Sequence, residues 1–237
     1  MRSVERDLRL LILAASAGSA DGWSYFGFGH AFVANMTGNT VLLGLAVFQD
    51  HGDVLHLVIS LGCYALGAML GSLLTGSVRP DTVWPRAISR TLLLEALLLL
   101  AAAAGWIAIH LHASNAPSFN LLLATVALAI GMQSGAMVQL KIPGIVTTYI
   151  TGTWTSLLSG LVRFARQERH PAKGQDPGFE ERLLMQGGVL SVYFLSVVLT
   201  GWFFRHVPLA VGVLPGLSVL LVAVHGLINS DLAGILP

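Results

Sequence analysis

Long apolar runs, interrupted by few charged residues, dominate the sequence. Their lengths are close to the roughly 20 residues that an α-helix needs to cross a bilayer, and exceed the roughly nine to eleven of a membrane β-strand. The pattern therefore predicts an all-α, polytopic membrane protein. The runs cover residues 10–28, 31–48, 54–77, 91–110, 119–140, 142–162, 183–204 and 207–227.

The basic residues indicate how many of these runs cross the membrane. All of the 13 Lys and Arg residues except Lys141 and Arg205 lie in three clusters, at 2–9, 79–90 and 163–182. Basic residues of short loops tend to stay in the cytoplasm. All three clusters lie on the cytoplasmic side only if the first and second runs together make one net crossing, and the fifth and sixth runs together make another. We therefore expect about six net crossings in a bacterial inner membrane, with a cytoplasmic N-terminus.

Each irregular pair must then contain a broken or re-entrant helix, and non-helical backbone at membrane depth is tolerated only inside protein or along a cavity. The two pairs carry similar motifs. In the first, GSADG at 18–22 precedes TGNT at 37–40, and in the second, GMQSG at 131–135 precedes TGTW at 151–154. The pattern indicates an internal repeat. Chance recurrence of small residues that serve helix packing is the alternative.

Two plain apolar runs follow each pair, so the chain divides into two units of three net crossings, about 10–110 and 119–227. An odd number of crossings places the units in opposite orientations, which is the inverted-repeat plan of many secondary transporters. We expect one integral membrane domain over 1–237, with a cytoplasmic linker at about 163–182. The loops 49–53 and 110–118 are expected on the outer side.

Several of these motifs also resemble a known family. GSAD at 18–21 and FVANMTGNTV at 32–41 are followed by GMQ at 131–133 and TTYITGT at 147–153. Over essentially its whole length the chain is similar to the YoaK-type family of bacterial membrane proteins, a family of unknown function. The resemblance implies six transmembrane segments and an inner-membrane location, but no substrate or activity.

Two acids, Asp21 and Glu95, lie well inside apolar runs. Because an ionised group in a bilayer is costly, such a residue by default marks a pathway, an ion site or a proton relay. Asp21 is expected to carry a proton or to pair with a cationic substrate; the alternative is a cap on a broken helix. Glu95 is either part of a relay or paired with a nearby arginine. His225 is either a second relay residue or a buried core residue.

The polar strings at the two irregular pairs are expected to meet in one cavity near the midplane. The predicted substrate or ion site comprises Asp21, Asn35, Thr37, Asn39, Thr40, Gln133, Ser134, Thr147, Thr151 and Thr153. The predicted hinges, where helices open, are Gly18, Gly22, Gly38, Gly131, Gly135 and Gly152, and a helix restarting after Gly38 would present N–H groups to a ligand. The alternative is that the polar residues only make interhelical hydrogen bonds.

Composition excludes several functional classes. Only 11% of the 237 residues are charged, against roughly 25% in an average protein. A net charge of +1 and the lack of a dense basic tract exclude nucleic acid as a partner. Cys63 is the single cysteine, so neither an internal disulfide nor a thiolate metal site is expected. His110 and His112 lack a third ligand nearby, so we expect no metal.

No enzymatic activity is expected, because the sequence contains no G-x-S-x-G nucleophile elbow. It contains no ATP-binding P-loop either, so a gradient or a separate subunit must drive any active transport. The prediction is a gradient-driven transporter of a small polar or charged solute, without a cofactor. Its partners would be the bilayer and a small molecule or ion, and a homo-oligomer stays open. A passive channel and a membrane scaffold without transport activity are the alternatives.

Overall fold

The structure, a computed structural model, describes residues 2–48, 54–78, 84–115, 117–140, 150–169 and 178–232. Within these ranges every regular element is helical, which confirms the all-α prediction. The elements are α1 (Arg2–Gly27), α2 (Met36–Ala46), α3 (Val54–Thr75), α4 (Arg86–His110), α5 (Phe119–Val138), α6 (Ile150–Arg169), α7 (Phe179–His206), a 3-10 turn (Pro208–Ala210) and α8 (Val213–Leu232).

Five helical stretches of the described chain are long and apolar enough to cross a membrane: Val54–Thr75, Arg86–His110, Phe119–Val138, Phe179–His206 and Pro208–Asn229. A helix is the form that apolar chain must take in lipid, because it satisfies its own backbone N–H and C=O groups. Large apolar side chains such as Leu73 and Phe194 lie exposed on the outer surface. These features are those of a polytopic membrane protein. α1 and α6 are of comparable length but more polar.

The helices pack against one another mainly in pairs. The most extensive contacts join α3 to α5, α1 to α7 and α4 to α8. α5 is the most fully enclosed of the apolar helices. Its Gly135 lies against the Ala68 carbonyl of α3, and Gly71 of α3 lies against the Met132 carbonyl of α5, so close that a Cβ at either glycine would overlap the other backbone. Small residues therefore set the distance between these two helices.

The helices do not open at Gly18, Gly22, Gly131 or Gly135, so the predicted position of the breaks is wrong. α1 and α5 are continuous through these residues. The physical reason is close packing: Gly18 lies against the Tyr193 backbone of α7, as Gly135 does against α3. In the first half the break covers residues 28–35, between α1 and α2.

The short helix α2 also begins at another place than predicted. α2 begins at Met36, before Gly38 and not after it, and occupies only 11 residues of the apolar run 31–48. α6 begins at Ile150, just before Gly152, and continues to Arg169, so helix covers part of the predicted linker 163–182. Hinge motion at the six glycines stays a prediction. The loop 49–53, Thr147 and residues 170–177 of the linker lie outside the described residues.

Candidate functional site

The chain reverses direction immediately after α1. Gly29 and His30 both adopt left-handed backbone conformations, with φ of +75° and +58°, of which the first is readily adopted by glycine. Residues 31–35 then run in non-helical conformation. The Ser24 hydroxyl of α1 donates a hydrogen bond to the Ala31 carbonyl at 2.8 Å. The reversal therefore holds this segment against the last turns of α1.

Asp21 anchors the same segment. Its Oδ1 atom accepts hydrogen bonds from the backbone N–H groups of Val33 at 2.8 Å, Ala34 at 2.6 Å and Asn35 at 3.4 Å. Its Oδ2 atom accepts a hydrogen bond from the Tyr193 hydroxyl of α7. Asp21 is only 2% exposed, and these donors occupy both oxygens of the carboxylate. The geometry supports the alternative that Asp21 holds the entrance to a broken helix in place.

Two asparagines stabilise the first turn of α2: one caps the helix, and the other links it to α3. Asn35 is the N-cap, and its side-chain oxygen accepts from the Gly38 N–H at 3.1 Å. Asn39 is fully buried. It accepts from the Phe32 N–H at 2.8 Å, and donates to the Phe32 carbonyl at 2.7 Å and to Ser60 of α3 at 3.0 Å. Asn39 therefore fastens α2 to α3.

The second half contains a related contact. The Tyr64 hydroxyl of α3 donates to Ser134 of α5 at 2.9 Å. Ser134 lies at the position of the second motif that matches Asp21 in the first. Each motif thus receives a hydrogen bond from a tyrosine on the helix packed against it. Neither tyrosine was among the site residues predicted from the sequence.

A chamber of about 520 Å³, here called the polar chamber, lies between the first residues of α2 and those of α6. α3, α5 and α7 supply the other described walls. Both halves of the chain therefore contribute. The polar side chains of its described lining are Asn35, Thr37, Tyr64, Ser72, Ser134, Thr151 and Tyr193.

A second cavity of about 570 Å³, the aromatic groove, adjoins the polar chamber and shares Asn35, Ile150 and Tyr193 with it. Asp21 is part of its lining. Tyr25 and Phe32 also line it, and their rings stack with centroids 5.2 Å apart. Its outer rim includes Phe26, Trp154 and Phe194, each at least half exposed. The groove is thus an apolar passage from the surface of the helix bundle to Asp21.

The structure brings together half of the predicted site. Asn35, Thr37, Ser134 and Thr151 line the polar chamber and Asp21 lines the adjoining groove. Four other predicted residues are absent from both linings, because they lie on other faces of their helices. Asn39 and Thr153 are buried, Thr40 is exposed and donates to the Met36 carbonyl at 2.8 Å, and Gln133 is buried and donates to the Leu13 carbonyl at 3.2 Å. Thr147 lies outside the described residues.

Glu95 and His225 line neither cavity. Glu95 is fully buried in α4, and neither carboxyl oxygen has a hydrogen-bond partner within the part of the chain that the structure describes. The Nδ1 atom of His225 lies 3.3 Å from the Arg9 guanidinium, which also lies over the Trp84 ring at 4.9 Å. A proton relay through Asp21, Glu95 and His225 stays a prediction.

Within the described ranges, no three His, Cys, Asp or Glu side chains form a group that could hold a metal ion.

The family described as "Protein of unknown function (DUF1275)" matches residues 9–225 of the chain. The chain belongs to the DUF1275 family. It is also 34% identical over 168 residues to the UPF0700 transmembrane protein YoaK of Bacillus subtilis, which covers 69% of this chain and 72% of YoaK. No solved structure is significantly similar to this chain.

Family membership and the similarity to YoaK confirm the resemblance predicted from the motifs. The similarity to the transmembrane protein YoaK, together with the apolar helices, supports a membrane protein. Neither comparison assigns a substrate or an activity.

Proposed function

We propose that this protein is a gradient-driven transporter of a small polar or charged solute, which binds in the polar chamber. The observation that carries the proposal is the chamber itself: α2 begins at its wall, and the first described residues of α6 also line it. Broken helices that meet at one cavity are typical of the substrate sites of secondary transporters. A purely structural role requires no such cavity between the halves.

The proposal includes an inverted repeat, in which α1–α4 correspond to α5–α8. The helix contacts support this correspondence, because exchanging the halves turns the pairing of α1 with α7 into that of α5 with α3. The same exchange maps the contact of α2 with α3 onto that of α6 with α7, and α4 with α8 onto itself. The tyrosine contacts agree: Tyr193 bonds to Asp21 as Tyr64 bonds to Ser134.

In this layout α1, α3, α4, α5, α7 and α8 are the six crossings, and α2 and α6 are re-entrant elements. The positive-inside rule supports a cytoplasmic N-terminus, because Arg2, Arg6 and Arg9 precede the first apolar run. A bacterial inner membrane is the matching location. The six-crossing layout also allows the non-helical segment 28–35 to be enclosed by protein, as backbone at membrane depth requires.

The chamber lining supports a solute that forms hydrogen bonds. Hydroxyl and amide groups, which both donate and accept, dominate its described polar surface. The sequence contains no P-loop, so a gradient or another subunit must supply the driving force. Asp21, at the border of the chamber and the groove, is the proposed coupling residue.

A thermal-shift screen of the detergent-solubilised protein tests this function. The panel contains small ions and metabolites at several pH values, with Asp21→Asn measured in parallel. A compound present at 100 times its dissociation constant stabilises the folded state by about 2.7 kcal/mol. We expect at least one compound to stabilise the parent protein and to lose that effect in Asp21→Asn. A broad panel without any shift, and a variant as stable as the parent, would favour a membrane scaffold.

A further inference from the structure

The aromatic groove narrows the class of solute. We infer that the site binds an organic cation with an apolar body, whose charged group lies near Asp21 and whose apolar part lies along the groove. This inference deepens the proposed function and rests on it for what happens to the cation after binding. Its evidence is the juxtaposition of a buried acid, an aromatic lining and an opening at the bundle surface.

Hydrogen bonds from the protein stabilise the charge of Asp21, but no cationic side chain balances it in the described structure. Its hydrogen-bond donors are backbone N–H groups and a tyrosine hydroxyl, and no described Lys or Arg lies within ion-pair distance of it. The N-terminus of α2 contributes about half a unit of positive charge. A net negative potential is left at the inner end of the groove. Apolar walls strengthen it, because electrostatic interactions weaken less where water is excluded.

The groove lining is suited to the rest of such a ligand. The stacked rings of Tyr25 and Phe32 line the groove together with Asp21, and so does the half-exposed Trp154. Aromatic faces attract cations, and quaternary ammonium ligands are recognised by cages of such rings. The described lining of both cavities contains no Lys, Arg or His. Among the described residues, an anion would therefore meet Asp21 without a basic partner.

The groove also provides a route from the membrane. Phe26, Trp154 and Phe194 lie at the bundle surface, which faces lipid in a membrane protein, so an amphipathic cation can enter sideways from the bilayer. The polar chamber lies beyond Asn35 and Tyr193, which both cavities share. A ligand with an apolar body and a polar end matches the apolar groove followed by the polar chamber. An inorganic ion would occupy only the chamber.

Isothermal titration of the full chain in lipid nanodiscs tests the inference with three probes. Benzyltrimethylammonium carries both features, tetramethylammonium lacks the ring, and phenylacetate carries the opposite charge. We expect benzyltrimethylammonium to bind, tetramethylammonium to bind at least tenfold more weakly, and phenylacetate not to bind. Binding of phenylacetate as tight as that of benzyltrimethylammonium, or no binding of any probe, would overturn the inference.

Two matched variants locate the binding. Trp154→Leu removes a ring from the groove, whereas Trp202→Leu removes an equally exposed ring that stacks on His206 outside it. We expect the first to weaken benzyltrimethylammonium binding about tenfold and the second to leave it unchanged. Asp21→Asn should weaken it at least as much as Trp154→Leu does. Equal affinities in the two tryptophan variants would overturn the inference even if Asp21→Asn fails to fold.

The inference and the proposed function fail in different ways. Suppose that the thermal screen finds only anions or neutral solutes whose stabilising effect depends on Asp21. The proposed transport function then stands, and the inference that the ligand is an organic cation is wrong. If the cation binds but the chamber is closed to one side of the membrane, the transport function is wrong and the binding site stands.

Discussion

Tyr193 donates a hydrogen bond to Asp21 across 172 residues of sequence, and this bond ties α7 to the helix that carries the first motif. Tyr64 makes the corresponding bond to Ser134 in the second motif. One tyrosine therefore meets an acid and the other a neutral hydroxyl. The two tyrosine contacts share a local geometry but differ in charge, and Asp21 is the one acid in the described lining of the two cavities.

The two tyrosines should contribute unequally to stability. Tyr193→Phe removes a hydrogen bond to a charged group, which is worth about 1.5–3 kcal/mol, whereas Tyr64→Phe removes a neutral bond worth about 0.5–1.5 kcal/mol. Thermal unfolding of both variants in detergent measures the difference. We expect the larger loss in Tyr193→Phe. Equal losses would mean that the Asp21 contact is no stronger than the neutral one.

Asp21→Asn should separate coupled transport from passive flow. Asparagine keeps an oxygen that can accept from the Val33 and Ala34 N–H groups, so we expect the fold to persist while the charge is lost. Uptake into proteoliposomes, measured with a compound found in the thermal screen, should lose accumulation against a gradient. Asp7→Asn, at a partly exposed acid paired with Arg6, is the control. Undiminished accumulation in Asp21→Asn would exclude Asp21 as the coupling residue.

The sequence was sufficient for the helical class, because length and hydropathy determine it, and the charge clusters were sufficient for an irregular element in the first pair of runs, where the break covers residues 28–35. The break itself was misplaced. Glycines in membrane helices also serve close packing, and Gly18 packs against α7. A better signal lay nearby in Gly27 and Gly29, since Gly29 adopts the left-handed conformation at the reversal.

The partners of the site were beyond local pattern reading. Tyr193 reaches Asp21 only through the packing of α1 against α7. One signal could have found it: Tyr64 and Tyr193 lie at matching distances before the small residues Gly67 and Ser196, which pack on the motif helices. Asn39 is absent from both linings, and its spacing in the sequence does not reveal that its side chain turns towards α3.

Gly71 and Gly62 offer a matched test of the packing of α3. A Cβ at Gly71 would overlap the Met132 backbone, whereas a Cβ at Gly62 would meet nothing within 4 Å. Gly71→Ala should lower the free energy of unfolding by about 1–3 kcal/mol. Gly62→Ala should leave it unchanged or raise it by up to about 1 kcal/mol, because alanine favours the helix. Similar values for both variants in detergent unfolding would contradict the described contact of α3 with α5.

Glu95 should be replaceable by an apolar residue without loss of stability. Its oxygens are buried without a described hydrogen-bond partner, and burial of an unpaired polar group costs about 1–3 kcal/mol in proteins. We expect Glu95→Leu to raise the free energy of unfolding by a comparable amount, and Glu181→Leu, at an exposed acid, to have little effect. A clear loss of stability in Glu95→Leu would mean that Glu95 has a stabilising partner.

The most direct test of the account is whether the polar chamber can be reached from both sides of the membrane. Ala68 and Leu66 are matched positions near the middle of α3: the first lines the chamber, whereas the second is exposed on the outer surface of the bundle. Each is replaced by cysteine in a Cys63→Ser background, and a membrane-impermeant maleimide is added to right-side-out and to inside-out vesicles. We expect Ala68→Cys to react in both preparations and Leu66→Cys to react in neither. Reaction of Ala68→Cys from one side only, or from neither, would contradict a transport pathway through the chamber.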